Sequence, residues 1–367
     1  MISLIATVLN EGASIHRLMR SMAAQTRLPD EIVIVDGGSR DDTVSIIESY
    51  ADKLPLRMLV EPGCNISAGR NRAIAAAHGD IIVSTDAGVE LAPDWFEKLT
   101  RPLLDDASIG VVGGFFNAEA TTPFELAMGA TVLPLAAEID PATFLPSSRS
   151  IAFRKNAWKI VDGYPEWLDY CEDLVFDLRL KMLEIYQSPV ISHQLSEKTA
   201  KTDARNQGTE LETGNSKLAT AFAFAPDAVV GFRPRGSLRS FFKQYYLYAR
   251  GDGKADLWRK RHAARYLTYL VAAPLVLLLG GVVHPLLWLL CIPGAIYYFR
   301  QPYQRLYTLR QRPENAALLG TQHSALSTFL LIPIIRVVGD VAKMIGYPVG
   351  VVWRLQNHPP DWRQIKS

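Results

Sequence analysis

The stretch that most constrains the fold is Ile81-Ile82-Val83-Ser84-Thr85-Asp86-Ala87-Gly88. An apolar run of this length, ended by a turn signal, suits a strand buried on both faces of a parallel sheet. The carboxyl end of such a strand is where an open α/β sheet carries its ligands. Asp86 stands at that end, and Ala87 and Gly88 leave room beside it. A carboxylate so placed can hold a divalent cation, which in turn can hold a diphosphate. The competing reading is an Asp that caps the next helix. It is weakened because Pro93-Asp94-Trp95 supplies a later helix start.

The flanking chain repeats the pattern. A strand over 2–9 ends at Asn10-Glu11-Gly12, with Ser14 as cap of a helix reaching about Gln25. A second strand, 31–35, ends at Asp36-Gly37-Gly38-Ser39, and Asp41-Asp42-Thr43 opens the next helix with acids at its positive end. Strand 56–60 leads through Asn65 into a helix that runs to His78, followed by strands at 81–86 and 109–115. This β-α-β-α order implies a mostly parallel α/β sheet with right-handed crossovers and helices on both faces. Asn10, Glu11, Asp36 and Asp86, each at a strand end, would converge on one crevice. No Gly-x-Gly-x-x-Gly or Walker loop follows the first strand, which excludes those phosphate cradles. The crevice would then hold a nucleotide by base, ribose and a metal-bridged diphosphate.

Several of these segments resemble glycosyltransferase family 2, inverting enzymes of the GT-A fold. They are "TVLNEG", "IVDGGSRDDT", "NISAGRNRAIAAAHGDIIVSTDAG" and "GYPEWLDYCEDL". The resemblance covers about 2–177 and resumes near Ala221. It implies that Thr7, Asn10, Glu11 and Asp36 contact the nucleotide, and that Arg70 lies near the diphosphate. Asp86 would be the surviving acid of the Asp-x-Asp metal motif, whose second acid is replaced by Gly88. A divalent cation, Mg2+ or Mn2+, is expected, because a diphosphate leaving group needs its charge neutralised.

Glu172 and Asp173 form a carboxylate pair at a helix start. Such a pair suits base chemistry, although helix N-termini favour acids without any catalysis. By resemblance, Asp173 activates an acceptor hydroxyl. Residues 146–154 match a family segment that lines the acceptor side, which places Arg149 there by resemblance; a solvated arginine is the alternative. Cys171 reads as a packing residue. Residues 184–220 are polar and aperiodic, an expected inserted loop, and His193 within it reads as a solvated histidine.

The domain thus expected at 1–235 is followed by aromatic and basic residues at helical spacing over 236–265, expected as an interfacial amphipathic helix. By resemblance to membrane-bound members of the family, Gln244, Tyr248 and Arg250 would close over the donor. Residues 266–299 hold no Asp, Glu, Lys or Arg. They are broken at His284-Pro285 and flanked by arginines on both sides, which predicts a transmembrane hairpin with both ends cytoplasmic. A third membrane-associated segment is expected at 315–355. The net charge of +2 argues against a nucleic-acid partner. Three scattered cysteines and a first strand without a basic leader fit a cytosolic N-terminal domain. Taken together, these features predict a multi-pass protein of the cytoplasmic membrane. It would move a sugar from a nucleotide donor to a lipid or glycan acceptor. The alternative is a catalytically idle sugar-nucleotide-binding scaffold, motivated by Gly88.

Overall fold

The computed structural model describes residues 1–186, 221–316, 318 and 322–364. The chain starts as β1 (Ile2–Val8), α1 (Gly12–Ala23), β2 (Glu31–Asp36), α2 (Thr43–Glu48), β3 (Leu56–Val60), α3 (Ile66–Ala76) and β4 (Ile81–Asp86). There follow β5 (Val89–Leu91), α4 (Trp95–Asp105), β6 (Ile109–Ala118), α5 (Pro123–Val132), β7 (Ser150–Arg154), α6 (Lys155–Ile160), α7 (Glu172–Tyr186) and β8 (Ala221–Phe232). The strands form one sheet in the order β3-β2-β1-β4-β7-β6-β8-β5.

Why β1 sits at the centre is legible in its side chains. Leu4, Ala6 and Val8 enter the core on one face, and Ile5 enters the core on the other. The first core is closed by Ile15, Leu18, Met19 and Met22 of α1. Their spacing is that of one helical face, and each buried side chain contributes about 2 kcal/mol relative to exposure. The opposite core is closed by Ala73 and Ile74 of α3 and by Phe176, Leu180 and Leu183 of α7. The GT-A type of α/β sheet implied by the resemblance is therefore the one present, but it is mixed. β1 to β4 run parallel, β7 is inserted antiparallel between β4 and β6, and β5 pairs antiparallel with β8. The segment read as lining the acceptor side is partly this strand β7. Ser14 is not the cap of α1; it lies inside the helix and bonds back to the Glu11 carbonyl and carboxylate.

The expected loop at 184–220 needs one correction: α7 continues to Tyr186. The rest of that segment, with His193, lies outside the described residues.

After the sheet come α8 (Leu238–Lys254), α9 (Arg259–Val282, with a π-turn at Thr268–Ala272), a 3-10 turn (Pro285–Leu290), α10 (Cys291–Arg310), α11 (Pro313–Ala316) and α12 (Gln322–Asn357). The segment 236–265 is thus two helices, and α8 is no free surface helix. It buries Phe241, Ala249 and Lys254 and packs along α12. The reason is a Gly-x-x-x-Gly on α12. A Cβ on Gly346 would sit 2.2 Å from the Tyr246 carbonyl oxygen, and one on Gly350 would sit 2.0 Å from that of Arg250. Only glycine permits so close a helix approach.

Among the described residues, two helices are long and apolar enough to cross a membrane, Arg259–Val282 and Ala325–Asn357. The first is almost wholly exposed, with Leu270, Leu277, Leu278 and Val282 facing outward. Its hairpin partner α10 is apolar only in its first half and does not qualify as a span by itself. The two arms nevertheless meet closely. Trp288 Nε1 donates to the Leu277 carbonyl at 3.0 Å, and the Tyr269 and Tyr298 hydroxyls are 2.7 Å apart.

Candidate active site

The register brings three sequence-predicted positions to one edge of the sheet. Thr7 is paired with Asp86 across β1 and β4, and Val8 with Asp36 across β1 and β2. Above this edge lies a cavity of about 380 Å3. Thr7, Glu11, Asp86, Gly88, Arg149, Gln244 and Tyr248 all line it. So do Arg233 and Arg235, just after β8, which the sequence reading passed over as part of a turn. Their signal was present: two arginines flanking Pro234, directly beyond the carboxyl end of a core strand.

Arg70 supports Asp86 from behind, but it, Glu172 and Asp173 are not among the residues that line the cavity. Arg70 is buried on α3, whose N-terminus is capped by the Asn65 side chain accepting from Ala68 N–H. Gly69 lets this helix approach β1, since a Cβ there would meet Thr7 Cγ2 at 2.9 Å. Arg70 donates from Nη2 to Asp86 Oδ1 at 2.8 Å and from Nη1 to Glu172 Oε1 at 2.7 Å. It thus ties the end of β4 to the start of α7. Breaking one partner of a buried pair of this kind costs about 3–5 kcal/mol, because the other charge stays buried. Burial opposes the charge on Arg70, but Asp86 and Glu172 outweigh it and hold the guanidinium charged. Glu172 behaves differently. Burial and the neighbouring Asp173 carboxylate push its pKa up to about 7 in spite of Arg70.

Asp173 occupies the second position of α7 and is half-buried; its Oδ1 accepts from the Leu174 N–H at 2.8 Å. Cys171 enters α7 with φ of 64°, a left-handed turn that sets the carboxylate pair at the helix start. Its thiol lies 3.3 Å from the Tyr248 carbonyl oxygen, and burial raises its pKa well above the ordinary thiol value, so it packs and does not react.

Not every expected residue reaches the cavity. Asp36 is fully buried and spends both oxygens on its own turn, accepting from Gly38 N–H and Ser39 N–H at 2.8 Å each and from Ser39 Oγ. Asn10 accepts from Arg40 N–H at 2.9 Å and links the loops after β1 and β2. Both shape the loops beside the cavity and do not line it. Arg250, expected to close over the donor, is turned the other way. It and Lys254 hold Asp169, which fastens the loop before α7 to α8. Gln244 donates to the Tyr248 hydroxyl at 2.7 Å, so α8 forms one wall of the cavity.

Arg149 follows the same logic as Arg70 from the opposite side. Its Nε is 3.6 Å from Asp86 Oδ2, and its guanidinium rests on the rings of Phe232 and Phe116 at 4.4 and 5.2 Å. Arg149 is therefore a held side chain and not a solvated one. Arg233 pairs with Glu125 at 2.9 Å. The cavity wall thus carries Arg149, Arg233 and Arg235, with Asp86, Glu11 and the Glu125 that pairs with Arg233 as the acids beside them, a set of guanidinium groups able to meet an anion.

The sequence pattern described as "Glycosyl transferase family 2" matches residues 3–159. The chain carries a glycosyltransferase family 2 domain. The matched stretch of that domain holds Thr7, Glu11, Arg70, Asp86 and Arg149, while Glu172, Asp173 and α8 lie beyond it. Succinoglycan biosynthesis protein ExoA of Rhizobium meliloti is 24% identical over 308 residues, 80% of this chain and 81% of its own length. The uncharacterized glycosyltransferase YibD of Escherichia coli K12 is 34% identical over 106 residues, covering 29% of this chain and 31% of its own. The chain spans less than a third of the length of several curated relatives it matches. Among solved structures, the mannosyltransferase PcManGT from Pyrobaculum calidifontis, in complex with GDP-Man and Mn2+, aligns with 97% of this chain and 87% of that one. The alignment has a TM-score of 0.47 at 17% identity.

Among the described residues, no three His, Cys, Asp or Glu side chains converge as a metal centre. Asp86 is the single acid at the Asp-x-Asp position. At Gly88, nothing lies within 4 Å of where a Cβ would stand. Asp86 is already paired with Arg70 through Oδ1 and lies 3.6 Å from Arg149 through Oδ2, so a cation there would share one carboxylate with two guanidinium groups.

Proposed function

We propose that the chain is a membrane-anchored inverting glycosyltransferase, moving a sugar from a nucleoside diphosphate donor to a hydroxyl or phosphate of a lipid or glycan acceptor. The observation that carries this reading is the bridge from Asp86 through Arg70 to Glu172. It couples the donor end of the sheet to the carboxylate pair under a cavity rich in arginine. Arg149, Arg233 and Arg235 would face the diphosphate, supplying fixed positive charge where the leaving group gains negative charge. Thr7 and Glu11 would contact the nucleotide. Asp173 would remove the acceptor proton as the oxygen attacks the anomeric carbon. Glu172, neutral or charged, would position Arg70. Asp86 would hold a divalent cation such as Mg2+ or Mn2+, which when bound adds charge neutralisation at the diphosphate.

The exposed apolar faces of α9 and α12 support a multi-pass location in the cytoplasmic membrane with the sheet domain in the cytosol, where nucleotide sugars are available. The test is nucleotide release from UDP- or GDP-sugars by membranes containing the chain. Asp173→Asn should cut turnover by at least about a hundredfold, the range of one general base; full turnover in that variant would remove the base. Gly88 favours one second reading, an idle sugar-nucleotide-binding scaffold. Tight UDP or GDP binding by calorimetry, with no transfer to any lipid extract, would select it.

A further inference from the structure

A polar cluster lies among the membrane-associated helices, outside the cavity described above. Arg265 on α9 donates from Nε to Asp340 Oδ1 on α12 at 2.8 Å. Tyr269 and Tyr298 donate their hydroxyls to the other Asp340 oxygen. Asp340 is thereby fully engaged. On the same helix, four residues before it and three after, stand Arg336 and Lys343. Among the described residues neither forms an ion pair. Arg336 lies over the Tyr298 ring at 4.9 Å, with its Nε buried and unpartnered, and Lys343 Nζ lies 4.9 Å from the centre of the Tyr245 ring. Arg265, Arg336 and Lys343 thus share Asp340; Asp252 also acts on Lys343 but is itself engaged by His262, so positive charge stays in surplus around this helix.

A charge in the middle of such a helix is costly, and such residues persist where they meet a partner or line a substrate path. The missing partner is therefore an anion. The place also indicates how it arrives. The same helix exposes Phe329, Leu330, Ile334, Val337 and Val341, an apolar face for a hydrocarbon tail. On the other side, the Tyr245 ring is 5.7 Å from that of Tyr248, which lines the cavity. Tyr245 and Tyr248 are one turn apart on α8, so the ring against Lys343 adjoins the ring that lines the cavity.

We propose that Arg336 and Lys343 bind the phosphate of a lipid acceptor, with its tail along α12 and its head directed past Tyr245 into the cavity. Two cations match the two charges of a phosphate monoester or a diphosphate. This rests on the glycosyl-transfer reading and adds the class of acceptor and its handle. The phosphate is held outside the wall formed by Tyr245 and Tyr248, so it anchors the acceptor next to the reacting centre.

The test uses the full chain in detergent and a fluorescent long-chain polyprenyl monophosphate, compared with the matching polyprenol and with inorganic phosphate. The wild type should bind the phosphorylated lipid at least about tenfold tighter than the alcohol. R336Q/K343Q should lose that preference, Lys343→Arg should keep it, and UDP and GDP binding should stay within about twofold in both, showing an intact fold. Unchanged lipid affinity in R336Q/K343Q would overturn the proposal. So would equal binding of the alcohol, or displacement by inorganic phosphate at equal concentration, which would mark a free-phosphate site. Failure of the wild type to transfer any sugar would sink the transfer reading alone, because lipid binding is measured without turnover.

Discussion

Glu172→Gln separates charge from shape at the buried end of the site. Glu172 is 6% exposed, accepts from Arg70 Nη1 at 2.7 Å, and stands beside Asp173 at the start of α7. Burial first, and Asp173 second, raise its pKa from 4.5 to about 7. A carboxyl that holds its proton more tightly folded than unfolded stabilises the fold while protonated. Its contribution is full below the unfolded value, falls as the pH rises, and is gone above the folded value. Between pH 5 and pH 8 the loss from this one group is about 2–3 kcal/mol. Glutamine has nearly the same shape and no titration. Denaturant midpoints in detergent, taken at pH 5, 6, 7 and 8, should therefore fall more steeply with pH for the wild type than for Glu172→Gln. At pH 5 the protonated Glu172 and glutamine offer Arg70 the same neutral hydrogen bond, so the two proteins should be closest there, and the difference in slope above that pH is the signal. Parallel pH curves, or a wild type that gains stability relative to the variant as pH rises, would refute the argument that burial and Asp173 outweigh Arg70.

Two further outcomes follow from other parts of the chain. Gly88→Asp restores a second acid where a Cβ has open space, so the fold should be unaffected and half-maximal stimulation of nucleotide release should need at least about tenfold less Mn2+; an unchanged Mn2+ titration would show that Asp86 does not hold the cation. In a chain with Cys64, Cys171 and Cys291 replaced, a cysteine at His284 should be labelled by an impermeant reagent in intact cells, and cysteines at Ser39 and Gln301 only after lysis. Labelling at Gln301 in intact cells would mean a single crossing and would overturn the hairpin.

How much of this was legible in the sequence depends on whether the signal is local. The strand ends at Val8, Asp36 and Asp86 were legible because apolar runs stopped by a polar residue are local, and the parallel register then aligned them. The short strands β5 and β7 were not: three and five residues carry no period, and their pairing is decided by neighbours far along the chain. The same division runs through the site. Thr7, Glu11, Asp86, Arg149, Gln244 and Tyr248 were read as candidates and line the cavity. Asp36 and Asn10 were read as ligand contacts but are engaged by the loops that follow them, because short polar side chains after a strand bond their own backbone first.

Arg250 shows where local reading fails outright. A basic residue on an amphipathic helix looks solvent-directed until the partner of that helix is known. Here α12, 72 residues or more further on, brings Gly346 and Gly350 against the α8 backbone. This contact fixes the rotation of α8, so that Gln244 and Tyr248 line the cavity while Arg250 and Lys254 reach Asp169. One face of α8 thereby closes the sheet domain, and another carries Tyr245 against Lys343 of α12. A helix whose rotation is set by α12, and whose side chains form the wall of the cavity, makes that cavity dependent on α12 being in place. The apolar helix α12 is for this reason part of the site.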